Sequence, residues 1–143
     1  MNKIKAAGRQ SGFTLLEIMV VVTILGLLAA FIVPNVIGQG DKAKVDLAKA
    51  NMSGVANALD FYKLDNKKYP TTEQGLDALT TKPEGAKNWN PNGYLPKLPE
   101  DPWGNTYVYI SPGIDGKPYD LYSLGADGVE GGEGFDADLN FRD

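Results

Sequence analysis

One apolar run dominates the amino-terminal part of the sequence and restricts the structures that the chain can adopt. Residues 13–33 contain a single charged side chain, Glu17. As an α-helix this run would be roughly 30 Å long, which is about the thickness of the hydrocarbon core of a bilayer. Residues 1–12 carry basic side chains and no acid, so a positively charged start leads into the apolar segment. The pattern predicts a segment that enters a membrane.

The length of the run favours a retained anchor over a cleaved secretory signal peptide. The apolar core of a signal peptide has about 7–15 residues and ends at a small-x-small cleavage site. This run is longer, and the sequence FIVPNVIGQG that ends it offers no convincing site. A simple anchor fits, and Lys3, Lys5 and Arg9 would keep the amino end cytoplasmic by the positive-inside rule.

Glu17 is the residue that a simple anchor leaves unexplained. A carboxylate at the bilayer centre costs roughly 2.5–3.5 kcal/mol on insertion scales, and such groups usually have a partner. Cleavage after Gly12 would give Phe13 a new α-amino cation four residues from Glu17. Either that amine or the amine of a neighbouring subunit could neutralise the carboxylate.

Composition removes several classes of function. The chain has no cysteine and no histidine, which excludes disulfides, the usual zinc sites and Cys or His nucleophiles. Residues 1–12 carry +3, so the remainder carries −7 of the total charge of −4. An acidic body without a basic stripe argues against nucleic-acid binding. We also predict no enzyme, because acid–base chemistry needs paired groups in a pocket.

The rest of the chain, residues 34–143, predicts a helix followed by a small sheet. Apolar side chains recur at helical spacing within residues 41–66, giving one stripe that would pack on a small sheet. A helix through Leu79 is expected, because Thr71 and Gln74 have capping-box spacing. The stripe consists of Val45, Ala48, Met52, Val55, Leu59 and Tyr62.

Alternating aromatic-rich runs at residues 105–110 and 119–124 predict an antiparallel hairpin. The loop before it is dense in Pro, Gly and Asn. Its aromatic side chains, Trp89, Tyr94 and Trp103, are more typical of core and loop anchors than of a ligand-stacking surface.

The carboxyl-terminal stretch LGADGVEGGEGFDADL combines five acidic side chains with glycine and no Lys or Arg between residues 127 and 138. Such a run is either a solvated mobile loop or a cation site. Hard oxygen donors without His or Cys favour Ca²⁺, and glycine lets main-chain carbonyls join the ligands. The spacing does not match an EF-hand. Residues alone leave both interpretations open.

The amino end resembles the class III signal of type IV pilins and pseudopilins. A basic leader ending in glycine, then Phe-Thr-Leu-Leu-Glu, then a long apolar helix with a proline near its end, is the pattern of that family. The resemblance implies that a prepilin peptidase cuts after Gly12 and that Phe13 becomes N-methylated. It further implies that Glu17 serves assembly by pairing with the Phe13 amine of an adjacent subunit. Pro34 is the helix-interrupting proline, which would favour local unwinding in a filament.

The segments YPTTEQGL, DPWG and YDLYSLGADG resemble the major pseudopilin family of type II secretion, protein G of the general secretion pathway, over essentially the whole chain. The resemblance implies a C-terminal calcium loop in which a metal clip takes the place of a disulfide. Among the calcium ligands that the resemblance implies, Asp127 matches the family pattern most directly, together with the main-chain carbonyl of Leu124. Downstream, the expected donors are Asp136 and Asp138 with backbone help from Val129.

The sequence therefore predicts an α+β, type IV pilin-like fold in which a long amino-terminal helix packs on a small antiparallel sheet with a C-terminal calcium loop. Its parts are a leader removed from residues 1–12, a transmembrane and assembly helix at 13–33, and a periplasmic domain at 34–143. The resemblance implies a homopolymer anchored in a Gram-negative inner membrane that drives export of folded proteins.

The same resemblance implies the partners. They are minor pseudopilins at the filament tip, a prepilin peptidase, and an inner-membrane platform with its ATPase. Two alternatives remain at this point. One is a type IV pilin, against which the absence of a cysteine pair counts. The other is an anchored calcium-binding module that never polymerises.

Overall fold

A computed structural model describes the backbone of residues 12–143 and the side chains of residues 12–30 and 40–143. Except for Gly12, the predicted leader lies outside the described residues. The chain divides into two units, Met1–Gln39 and Gly40–Asp143.

Helix α1 extends over Leu15–Asn66. Thr14 precedes the helix and caps it, because its Oγ1 accepts a hydrogen bond from the N–H of Glu17 at 3.2 Å. A threonine in this position satisfies one of the backbone donors left free at a helix start. One continuous helix confirms the prediction that the apolar and amphipathic segments join. The side chain of Pro34 lies outside the described residues, and unwinding there in a filament stays a prediction.

In the first unit, the side chains of residues 12–30 are all exposed. They include large apolar groups such as Leu15, which is 81% exposed. No helical segment among the described residues combines the length and the apolar content that a membrane crossing needs.

In the second unit, α1 buries the predicted apolar stripe. Met52, Val55 and Leu59 are fully buried, and Tyr62 is nearly so, whereas Val45 at the start of the stripe is only half-buried. The four side chains from Met52 to Tyr62 form the core with Leu79 and with residues of the sheet. Each large side chain buried in this way stabilises the fold by about 1.5–3 kcal/mol.

The sheet has three antiparallel strands in the order β1–β2–β3: Val108–Ile110, Asp120–Ser123 and Leu139–Asn140. Val108 pairs with Tyr122, and Tyr122 pairs with Asn140. The predicted hairpin is confirmed, although β1 begins later than expected because Thr106 pairs instead with Glu100 in an isolated bridge. Strand β3 returns the acidic stretch to the sheet.

The segment between α1 and β1 is held by local polar contacts. The capping box is confirmed in both directions: the N–H of Gln74 donates to Thr71 Oγ1 at 3.2 Å, and the N–H of Thr71 donates to Gln74 Oε1 at 3.0 Å. The helix that follows is a short 3₁₀ turn, Leu76–Leu79, because Gly75 adopts φ +60° and interrupts the α conformation. Two more 3₁₀ turns lie within the sheet connections. Ile114–Gly116 lies between β1 and β2, and Gly134–Asp136 lies between β2 and β3.

Two of the three predicted aromatic anchors, Trp89 and Tyr94, pack against the core, whereas Trp103 is half-buried and is not among the side chains packed there. Trp89 donates its Nε1–H to the carbonyl of Ala78 at 2.8 Å and meets the Tyr94 ring edge to face, with ring centres 6.0 Å apart. The Tyr94 hydroxyl donates to Asp65 Oδ2 at 2.9 Å. The loop is therefore fixed to the 3₁₀ turn through Ala78 and to α1 through Asp65.

Candidate functional site

The acidic stretch forms the connection between β2 and β3, and its two ends lie side by side. The N–H of Ala126 donates to the carbonyl of Phe135 at 2.9 Å, and the N–H of Asp138 donates to the carbonyl of Gly131 at 3.2 Å. We call residues 124–138 the acidic loop. These bonds bring the first half of the loop, with Asp127, against the second half, with Asp138.

Two glycines allow this close approach. Gly125 has φ +71°, and a Cβ placed there would lie 2.7 Å from the carbonyl oxygens of Asp136 and Ala137. Gly132 has φ +86°, and a Cβ there would collide with the carbonyl oxygen of Asp136. Only glycine combines a positive φ with no side-chain volume. The glycine content of the stretch is therefore a packing requirement.

The predicted carboxylates have different environments. Asp127 is exposed, and its Oδ1 accepts a hydrogen bond from the N–H of Val129 at 3.0 Å. Asp138 is half-buried, and its Oδ2 accepts from the N–H of Gly131 at 3.1 Å. Asp138 Oδ1 is buried and accepts no hydrogen bond from any described residue. A buried carboxylate oxygen without a donor is costly, and a bound cation is one way to satisfy it.

The structure does not gather all the predicted ligands. Among the described residues, no three acidic side chains lie close enough to hold a metal ion. Asp136 is exposed and meets the glycines through its backbone carbonyl. A metal held here would therefore depend on main-chain oxygens, such as those of Leu124 and Val129, as well as on the carboxylates of Asp127 and Asp138.

The charge near the loop also acts on Tyr122 of β2. Burial raises the pKa of Tyr122, and the negative charges of Glu130, Asp138 and Asp120 raise it further. These residues also line one cavity on the sheet. Burial of Tyr122 therefore acts first on the pKa of its phenol, and the negative charge of the acidic loop raises that pKa further.

The donor set fits calcium better than the other common metals. It consists of carboxylate and carbonyl oxygens, and the chain has no histidine or cysteine to select zinc or copper. The buried free oxygen of Asp138 and the glycine-allowed backbone approach are the structural features that support a cation in this loop.

Sequence reasoning missed the residues that hold the start of the loop. Asp101 is only 4% exposed, and its Oδ2 accepts a hydrogen bond from Ser123 Oγ at 2.7 Å. Ser123 Oγ in turn accepts from the N–H of Gly125 at 3.2 Å. The available signal was an aspartate directly before Pro-x-Gly, which is typical of a turn whose first side chain binds backbone N–H groups.

A second candidate site lies at the start of α1. Gly12 and Phe13 precede the helix and are exposed, with the Phe13 side chain 77% exposed. Glu17 lies in the first turn, where a negative charge is favoured by the helix dipole. The backbone at the predicted cleavage position is therefore exposed and outside regular structure, which is where proteolysis is favoured.

Two family models match the sequence. The model of the type II secretion system protein G matches residues 35–142, and the model of the prokaryotic N-terminal methylation motif matches residues 8–33.

Named relatives match over most of their length. The chain is 62% identical over 134 residues to type II secretion system core protein G of Pseudomonas aeruginosa, covering 92% of this chain and 94% of the relative. It is 55% identical over 137 residues to the core protein G of Vibrio cholerae, covering 94% and 93%.

A solved structure supports the fold as well as the family. The crystal structure of the major pseudopilin from the type 2 secretion system of enterohaemorrhagic Escherichia coli matches with a TM-score of 0.65 and 40% identity. The match covers 75% of this chain and 93% of that chain. The predicted pilin-like α+β fold is confirmed. The chain belongs to the protein G family of the type II secretion system and is a major pseudopilin of that system.

Proposed function

We propose that this pseudopilin is cut after Gly12, N-methylated on Phe13 and polymerised into a periplasmic pseudopilus that drives export of folded proteins. The observation that carries the proposal is the match of the N-terminal methylation motif to residues 8–33. The exposed, non-helical Gly12–Phe13 junction supports it, because exposed segments outside regular structure are the preferred sites of proteolysis.

Before assembly, residues 13–33 anchor the protein in the inner membrane. The exposed apolar side chains of residues 13–30 support this role, since such a surface needs lipid or neighbouring helices around it. The basic residues Lys3, Lys5 and Arg9 keep the leader cytoplasmic. The domain of residues 34–143 is then periplasmic.

The protein works as a structural subunit and not as an enzyme. Its partners are other copies of itself, minor pseudopilins at the filament tip, the prepilin peptidase, and the inner-membrane platform with its ATPase. Membership of a pseudopilin family supports this assignment.

The acidic loop binds Ca²⁺ through Asp127 and Asp138 with main-chain oxygens from Leu124 and Val129. Asp136 contributes from the second half of the loop. Calcium would neutralise mutually repelling carboxylates and so join the two halves of the loop. Contacts within the loop already bring its two halves together. The N–H of Ala126 donates to the carbonyl of Phe135, and Gly125 and Gly132 leave room for the backbone of Asp136.

The mass of the mature, membrane-bound protein tests the processing. We expect a chain that starts at Phe13 and carries one added methyl group. A membrane-bound chain that retains residues 1–12 in an assembling strain would contradict the proposal. An unmodified Phe13 amine would contradict the methylation.

Thermal unfolding of the full-length chain in detergent, with calcium and with chelator, tests the metal site. We expect calcium to raise the melting temperature of the wild type, because a ligand that binds only the folded state stabilises it. Asp127→Ala should abolish most of that rise, whereas Asp46→Ala, an exposed aspartate on α1, should retain it. Equal melting temperatures of the wild type in both conditions would contradict calcium binding.

A further inference from the structure

A tight turn outside the acidic loop holds the start of that loop. We call residues 101–105 the anchor turn. The N–H of Asp101 donates to the carbonyl of Asn105 at 2.8 Å, which closes the turn. Asp101 Oδ1 accepts from the N–H groups of Trp103 at 3.1 Å and Asn105 at 2.8 Å. The buried carboxylate is thus fixed on its own turn through one oxygen.

The second carboxylate oxygen of Asp101 points to the loop. Ser123, the last residue of β2, is fully buried and donates its hydroxyl to Asp101 Oδ2 at 2.7 Å. The same hydroxyl oxygen accepts the N–H of Gly125. A hydrogen bond to a charged acceptor is stronger than one between neutral groups. Ser123 therefore connects a rigid carboxylate to the backbone on the far side of Leu124.

The anchor turn meets the loop start at two further points. Asn105 directs its Nδ2 to the carbonyl of Gly125 at 3.5 Å. A Cβ placed on Gly128 would lie 3.1 Å from the side-chain amide of Asn105. The proposed ligands Leu124 and Asp127 thus lie between positions that the anchor turn holds.

We propose that Asp101 and Ser123 are positioning residues for the metal loop and that they set its affinity for calcium. This inference rests on the proposed calcium site. Side chains that orient metal ligands from outside the coordination shell typically change metal affinity by about 10–100-fold when they are removed. A purely structural role predicts a different result: loss of the hydroxyl would lower the stability of the metal-free protein and leave the calcium affinity unchanged.

The test compares two serine-to-alanine variants of the full-length chain in detergent. Ser123→Ala removes the connecting hydroxyl. Ser111→Ala removes a hydroxyl of the same chemistry after β1, where Ser111 Oγ donates to the carbonyl of Pro118 at 3.1 Å. The calcium dissociation constant is measured by calorimetric titration with CaCl₂, and the melting temperature of each variant is measured in chelator.

We expect Ser123→Ala to raise the calcium dissociation constant roughly tenfold, whereas Ser111→Ala and Ser123→Thr should stay close to the wild type. A dissociation constant for Ser123→Ala within twofold of the wild type, with a lowered melting temperature in chelator, would overturn the inference. If Ser123→Ala does not fold, Ser123→Cys fills the same space with a weak donor and should also weaken calcium binding; unchanged affinity there would overturn the inference too.

The same titration separates this inference from the metal site on which it rests. Absence of calcium binding by the wild type would overturn both. Calcium binding by the wild type that is lost in Asp127→Ala but unchanged in Ser123→Ala and Ser123→Cys would retain the site and overturn only the positioning role.

Discussion

At the scale of single residues, burial of the tyrosines changes the pKa of their phenols. Burial raises the pKa of every tyrosine in the chain, and it raises those of Tyr69 and Tyr109 to about 12. For Tyr69, the hydrogen bond to Asp60 adds to the effect. The tyrosines whose pKa is raised are Tyr62, Tyr69, Tyr94, Tyr107, Tyr109, Tyr119 and Tyr122.

The raised pKa values predict unfolding at alkaline pH. A phenol with a pKa of about 12 when folded and near 10 when unfolded favours the folded state fully below pH 10. That contribution is lost as the pH rises through 12, because the unfolded chain then binds fewer protons than the folded chain. The free energy of unfolding should therefore fall steeply between pH 10 and 12 in urea titrations of the full-length chain.

Tyr109→Phe isolates one part of this effect. At pH 8 the variant should be less stable by about 1–3 kcal/mol, because the buried carbonyl of Pro70 loses its 2.7 Å hydrogen bond from the Tyr109 hydroxyl. The difference in the free energy of unfolding between wild type and variant should narrow above pH 10, since the variant has no phenol to ionise at this position. A gap that stays constant from pH 8 to pH 11 would contradict this assignment.

At the scale of elements, the sequence predicts what depends on local pattern. The stripe from Ala48 to Tyr62 and the capping box of Thr71 and Gln74 follow from spacing, because side-chain period and backbone geometry are linked. The site depends on contacts distant in sequence. Nothing local marks Asp101 as buried, since an aspartate before proline is equally typical of a surface turn.

The closure of the acidic loop gives a prediction with a matched control. Gly131 and Gly132 both have positive φ, so alanine at either position adds similar backbone strain, about 1–2 kcal/mol. Only at Gly132 does the added Cβ collide with the carbonyl of Asp136; nothing lies within 4 Å at Gly131. Gly132→Ala should therefore lose the rise in melting temperature that we expect from calcium, and Gly131→Ala should retain it.

Melting curves of both variants in calcium and in chelator check this. If calcium changed the melting temperatures of Gly131→Ala and Gly132→Ala by the same amount, the close approach of Gly132 to Asp136 would have no role in calcium binding. Backbone strain, which both variants share, would then explain any change from the wild type.

At the scale of the whole molecule, the charge distribution opposes association of the domains of neighbouring copies. Residues 34–143 carry −6, since Glu17 accounts for one of the seven excess negative charges outside residues 1–12, and like-charged bodies repel. Calcium in each acidic loop would reduce that charge. Attraction between copies must then come from the apolar run, where Glu17 is the single charged group. We therefore expect the proposed pairing of Glu17 with the Phe13 amine of an adjacent copy to set the register between copies.

Glu17→Ala tests that point in cells that assemble the filament. The variant should insert and be processed, because an apolar side chain is cheaper in lipid than a carboxylate. Assembly should fall sharply, since the Phe13 amine of a neighbouring subunit loses its anionic partner in a low-dielectric setting. Filaments are counted by electron microscopy, and processing is followed by mass.

Thr14→Ala separates the charge of Glu17 from its place at the helix start. Thr14 Oγ1 caps α1 by accepting the N–H of Glu17, so this variant weakens the helix start, by about 1 kcal/mol, and leaves the carboxylate in place. If Thr14→Ala assembles normally and Glu17→Ala does not, assembly depends on the charge. Normal filaments from Glu17→Ala would refute the pairing with Phe13. Equal loss in both variants would assign the effect to the helix start, because Thr14→Ala removes the cap and Glu17→Ala removes the favourable charge from the first turn.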